Sequence, residues 1–185
     1  MNTTSVFALA FAVGVIAGLR ALTAPMVVSW AARLNWLNVS STWAAFLGSA
    51  ATPCIFTVLA IAELVNDKLP KTPSRKAPPS FAVRIVSGAC SGAALAVGAS
   101  QSAALGAVCG GLGAVAGTLG GYELRTRLVK ALHVPDLVIA LIEDAVAVGG
   151  GFFIVSRVER ERPGFMMAAA VRRARRFWGA FRDPD

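Results

Sequence analysis

The chain has 185 residues and a formal net charge of +8, yet 56% of its residues are hydrophobic and only 15% are charged. A soluble domain of this size carries about 25% charged residues. Here long stretches hold almost no charge, and short stretches between them are dense in Lys, Arg and Pro. Hydrocarbon imposes that segregation, because charge and unmet polar groups are costly inside it. The basic residues flank apolar runs and lack the interleaved aromatics of a nucleic-acid groove. The balance therefore points to an anionic membrane surface as partner and away from nucleic acid.

A spanning helix needs about 20 apolar residues. Residues 7–32 supply more than that, interrupted by Gly18, Arg20 and Pro25. No positive charge precedes the run, so it reads as a retained first span rather than a cleaved signal. Residues 35–42 form a polar loop bracketed by Trp36 and Trp43, which suit a membrane interface. Residues 43–65 are the second span, with Pro53 predicting a kink. The sharpest break follows at 66–80, NDKLPKTPSRKAPPS, a basic and proline-rich stretch that reads as an extended or turning loop.

The third span is 81–99, with Arg84 in its first turn, and the fourth is 103–122, ended by Gly120 and Gly121. Glycines four apart, Gly106 with Gly110 and Gly113 with Gly117, predict close approach of a neighbouring helix. Residues 123–136 read as a basic loop around His133, and 137–155 as the fifth span. The remainder carries eight Arg and contains VRRARRFWGAF. It reads as a basic amphipathic helix on anionic lipid head groups, or as a disordered polybasic tail. Cys54, Cys90 and Cys109 have no CxxC spacing and read as packing residues. The expectation is an all-α polytopic membrane helix bundle of about five spans over 1–155, with a basic tail at 156–185.

A weak internal repeat accompanies this pattern. Gly14-Val-Ile-Ala-Gly18 precedes AIAELV, and Gly113-Ala-Val-Ala-Gly117 precedes ALIEDA, which sets Glu63 opposite Glu143. Two helices, one linking span and two more helices would make inverted halves with broken helices, an architecture that recurs in transporters. Chance similarity in an Ala- and Gly-rich sequence is the competing explanation.

Six charged residues lie in or beside the apolar spans: Arg20, Glu63, Asp67, Arg84, Glu143 and Asp144. A charge at bilayer depth costs roughly 2.5–3.5 kcal/mol on insertion scales, so such residues face a partner or a watery cavity. They read either as a binding or relay site or as ion pairs that fix packing, such as Arg20 with Glu143 or Arg125 with Glu63. Glu63 and Asp67, four residues apart on one helix face, are the pair that would hold Mg²⁺ if any does. Lys68 and Arg75 follow them. No cofactor is otherwise implied. No Ser/His/Asp set, HExxH, Walker loop or GxSxG is present.

In GLRALTAP (18–25), ELVNDKLPKTPSR (63–75), GGYELR (120–125) and ALIEDAVAVGGG (140–151) the sequence resembles a bacterial family of small multi-pass membrane proteins, the domain of unknown function 4126. The resemblance implies a membrane location, expected to be the bacterial inner membrane, and no activity. Three functional classes follow from the residues. The first is a small transporter or channel for an ion or small polar or anionic solute. Glu63, Glu143 and Asp144 would bind or relay a cation or proton, with Arg20 and Arg84 facing an anion. The second is a membrane enzyme acting on a phosphorylated lipid with a divalent metal. The third is a structural or assembly protein, whose glycine-rich faces pack partner helices or a second copy.

Overall fold

A computed structural model describes residues 2–67 and 77–160, with the side chains of 159 and 160 left aside; residues 68–76 and the tail from 161 lie outside the described residues. Six α-helices and one 3₁₀ turn make up the fold among those residues. They are α1 (Thr3–Leu19), α2 (Thr23–Arg33), the 3₁₀ helix Trp43–Gly48, α3 (Ala51–Asn66), α4 (Pro78–Gly98), α5 (Ala103–Leu132) and α6 (Asp136–Arg160). Local chemistry sets several boundaries. The Asn2 side chain accepts from Ser5 N at 2.8 Å to cap α1. Pro78 opens α4, where its missing N–H is no loss. His133 takes a left-handed conformation, φ 54°, to close α5.

The expected first span is two antiparallel helices. Ile16 of α1 lies against Gly150 of α6, and Val27 of α2 lies against the adjacent Gly151. On one straight helix those side chains would stand about 16 Å apart, at 1.5 Å per residue. The chain therefore reverses at residues 20–22, and α1 and α2 form a helical hairpin. Continuous hydropathy had made this one span, because an apolar run carries no record of direction. The second expected span also changes. Trp43–Gly48 is a 3₁₀ helix, and Pro53 sits in the first turn of α3, where it breaks no hydrogen bond and makes no kink. α5 does not end at Gly120–Gly121. It runs on to Leu132, 30 residues in all, so most of the expected basic loop is helix.

Glycine packing builds the core. A Cβ on Gly14 would come within 2.7 Å of the Gly110 carbonyl carbon, and one on Gly18 within 2.6 Å of Thr118 N. α1 and α5 thus run parallel with their backbones in contact. α4 approaches the same stretch of α5: a Cβ on Gly88 would lie 2.7 Å from Gly110 O, and one on Gly106 would lie 2.6 Å from Gly92 O, so α4 runs antiparallel. The two glycine pairs of the expected repeat do face each other. Inverted halves would need α1 and α5 antiparallel, and they are not.

The resulting order alternates, with the hairpin turn, the C-terminal ends of α3 and α5, and the N-terminal ends of α4 and α6 at one end of the bundle. Leu37 packs where a Cβ on Gly98 would fall, which marks the opposite end. α4, α5 and α6 (to Val158) are long and apolar enough to cross a membrane, and α1 and α3 are shorter apolar helices. α3 is the least embedded of these helices. Its buried residues are Pro53 and Ala60, while Ile55, Val58, Ile61 and Val65 are exposed.

Candidate functional site

Where α1 ends and α2 begins, each helix leaves backbone groups without intrahelical partners. Thr23 N donates to Arg20 O at 3.3 Å, closing a reverse turn with Ala21 and Leu22 at its corner. The free donors there go to one carboxylate: Ala21 N and Leu22 N each donate to an oxygen of Glu63 at 2.8 Å. The free acceptors go chiefly to one guanidinium. Arg84 Nη1 donates to Gly18 O at 2.8 Å and to Leu19 O at 2.7 Å. Ser87 donates its hydroxyl to Ala21 O. Thr118, on α5, reaches Gly18 O at 3.2 Å while bonding Ala114 O at 2.8 Å. Arg84 Nη2 lies 3.8 Å from Glu63 Oε1. The signs match the helix dipoles, with the cation at the C-terminus of α1 and the anion at the N-terminus of α2.

Arg20, the first residue of the turn, is completely buried. Its guanidinium bridges two carboxylates, contacting Asp67 at the end of α3 and Asp144 of α6, the latter at 2.5 Å. Arg125 of α5 makes the third centre. Its Nε donates to Asp136 Oδ1 at 2.8 Å, and its Nη1 lies 3.5 Å from Glu143. The Arg127–Glu123 pair within α5 aside, the side chains of these three centres divide by origin. All three arginines come from the glycine-packed helices α1, α4 and α5 or their ends. The five carboxylates come from α3 and α6. A buried guanidinium is held only where geometry and hydrogen bonds offset its desolvation, and these pairs join α3 and α6 to the core helices.

An open cleft of about 1340 Å³ adjoins the turn. Glu63, Asp67, Arg84, Arg125, Lys130 and Asp136 line it, set among apolar side chains that include Leu22, Leu59, Val83 and Val129. Of the residues singled out by sequence, Glu63, Asp67 and Arg84 reach this cleft. Arg20, Glu143 and Asp144 are not in its lining and stand in the paired network. The expected ion pairs were also differently matched. Arg20 meets Asp67 and Asp144 rather than Glu143, and Arg125 meets Asp136 and Glu143 rather than Glu63. Lys68 and Arg75 lie outside the described residues. Asp136, Ser87 and Thr118 were not anticipated; the only cue was a hydroxyl or carboxylate in otherwise apolar or terminal helix sequence.

Among the described residues no group of three or more His, Cys, Asp or Glu is placed to hold a metal ion. Glu63 gives both its oxygens to backbone donors, and Asp67 faces Arg20. The arrangement suits an anion on the α2 side of the turn better than a divalent cation.

Three membrane-length apolar helices, packed by glycine with their charges paired inside, define an integral membrane protein of the multi-helix α class. Residues 7–157 match the Domain of unknown function (DUF4126), and the chain belongs to that family. No curated protein matches it, and neither does any solved structure.

Proposed function

We propose that the chain is a small membrane transporter for an anionic solute, with the turn at residues 20–22 as its binding point. The observation that carries this reading is the Glu63 carboxylate itself. It occupies two backbone N–H groups at the start of α2, beside the Arg84 guanidinium, on the wall of an open cleft. Helix N-termini inside discontinuous membrane segments hold anionic substrate groups in other transporters. Here a tethered carboxylate holds that place, so a solute anion and Glu63 compete for one set of donors. Glu63 belongs to α3, the least embedded of the apolar helices, which can withdraw it without unpacking the glycine core. Glu143, Asp144 and Arg20 serve this reading as the paired support behind the cleft.

The assembly reading has its own support. Every contact described at the turn is already made by the protein, which is also what a purely structural charge network looks like. Reconstitution separates the two. Purified protein in proteoliposomes should release small anions under a gradient, and Glu63→Gln, which takes the competing carboxylate away from the turn, should change the rate of that release. Folded protein that moves no anion, with or without Glu63, would leave the assembly role standing. The metal-dependent enzyme reading has no comparable observation in its favour, because Glu63 and Asp67 are engaged with backbone and with Arg20.

A further inference from the structure

We infer that the solute is an amphiphile, an anionic head group carrying an apolar chain, that reaches the turn from the lipid between α3 and α4. This inference rests on the transporter reading and narrows its substrate class.

The cleft is far larger than a bare anion needs. At about 1340 Å³ it exceeds the volume of a single water-sized guest, about 30 Å³, many times over. Its walls are largely apolar, and several wall residues open outward: Leu59 is 41% exposed, Val83 is 55% and Val65 is 59%. Those side chains belong to α3 and α4, both apolar helices. Glu63 and Arg84 meet the turn on one part of the wall, and Asp67, Arg125, Lys130 and Asp136 line the rest of its polar surface. An aqueous inorganic anion gains nothing from such walls, whereas an alkyl chain gains about 0.8 kcal/mol per buried methylene.

Depth agrees with this. Arg84 stands six residues into α4, about 9 Å from its start at 1.5 Å per residue. The first twenty residues of α5 already span about 30 Å, the hydrocarbon thickness, so Arg125 and Lys130 fall at head-group level. The charge also fits. Asp67 and Asp136, the lining acids besides Glu63, each already face an arginine.

The test is protection of a cysteine at the mouth. Val83→Cys, with Leu59→Cys as a second position, is made in a chain whose three native cysteines are alanine, and maleimide labelling is followed in nanodiscs. Inorganic phosphate, decyl phosphate below its micelle-forming concentration, and phosphatidic acid in the disc are the probes. Decyl phosphate or phosphatidic acid should slow labelling about tenfold when present about tenfold above its Kd, while inorganic phosphate leaves it unchanged. Protection by phosphatidic acid identifies a membrane lipid as the source; protection by decyl phosphate alone identifies a soluble amphiphile. Equal protection by inorganic phosphate would overturn the amphiphile and leave the anion transporter intact. If no phosphate compound protects either position while proteoliposomes still release small anions, the amphiphile again fails by itself. If release is absent too, the transporter reading fails with it.

Discussion

Arg84→Ala removes the cation that closes the C-terminus of α1. Two charge-assisted hydrogen bonds disappear, those to Gly18 O and Leu19 O at 2.8 and 2.7 Å. Bonds of this kind contribute about 1.5–3 kcal/mol each. The substitution also leaves the Glu63 carboxylate without its guanidinium, and breaking one side of a buried pair costs about 3–5 kcal/mol. These two descriptions overlap, because the same guanidinium makes both contacts, so the expected loss is about 3–5 kcal/mol. Arg84→Lys keeps the charge but not the fork, and should lose about half as much. Glu63→Gln retains an acceptor for one of the two N–H groups and sets an amide donor against the other, costing about 1.5–3 kcal/mol. Since the two side chains serve one turn, the double variant should be more stable than the sum of the single losses by about 1 kcal/mol or more. Equilibrium unfolding in mixed micelles, titrated with SDS and followed by helical circular dichroism, measures all four proteins. A loss under about 1 kcal/mol for Arg84→Ala, with strict additivity, would refute the claim that this pair holds the turn.

Other substitutions probe the rest of the account by the same titration. Gly110→Val, at a position where a Cβ would run into the α4 backbone at Gly88 and Gly92, should destabilise by about 3 kcal/mol and reduce folded yield. Gly149→Ala, which meets nothing within 4 Å, should be neutral or stabilising by about 0.5–1 kcal/mol. Arg20→Met alone should cost about 3–5 kcal/mol by stranding Asp67 and Asp144, and adding Asp67→Asn with Asp144→Asn should recover part of that loss. Thr57→Val removes the partner of Trp30 Nε1 at 3.0 Å and should cost about 0.5–1.5 kcal/mol, with a shift in tryptophan emission.

Much of the architecture was legible because a bilayer writes itself into composition. The apolar runs at 81–99, 103–122 and 137–155 became α4, α5 and α6, since length and hydropathy decide a long span almost unaided. Gly106, Gly110, Gly113 and Gly117 announced close packing, and the structure supplies their partners in α1 and α4. The reversal at residues 20–22 was harder to read. Arg20 and Pro25 marked an interruption, but an interrupted helix and a hairpin have the same hydropathy. The last turns of α5 were hidden by charge: Arg125, Arg127 and Lys130 resemble a loop in composition, yet a helix carries them readily once it passes the hydrocarbon.

The charged residues of the site were identifiable one by one, because charge inside an apolar run stands out. Their matching was not, since it depends on which helix ends share a level. Asp136 illustrates this. It begins α6 and meets Arg125, eleven positions earlier, only because α5 and α6 turn back on each other at His133. Likewise the task of Glu63 follows from the reversal, as no carboxylate is needed at residues 21 and 22 if the helix runs straight on.

The reversal is therefore the claim to test first, and one disulfide does so. A Cβ on Gly151 would stand 3.6 Å from Val27 Cβ, inside the usual range of about 3.5–4.5 Å for bridged cysteines. With the native cysteines replaced, Val27→Cys with Gly151→Cys should form an intramolecular disulfide in native membranes under mild oxidation, seen as a mobility shift reversed by dithiothreitol. If that pair stays reduced while Ile16→Cys with Gly150→Cys is joined by a short bifunctional maleimide, residues 7–32 continue as one helix and the turn does not exist.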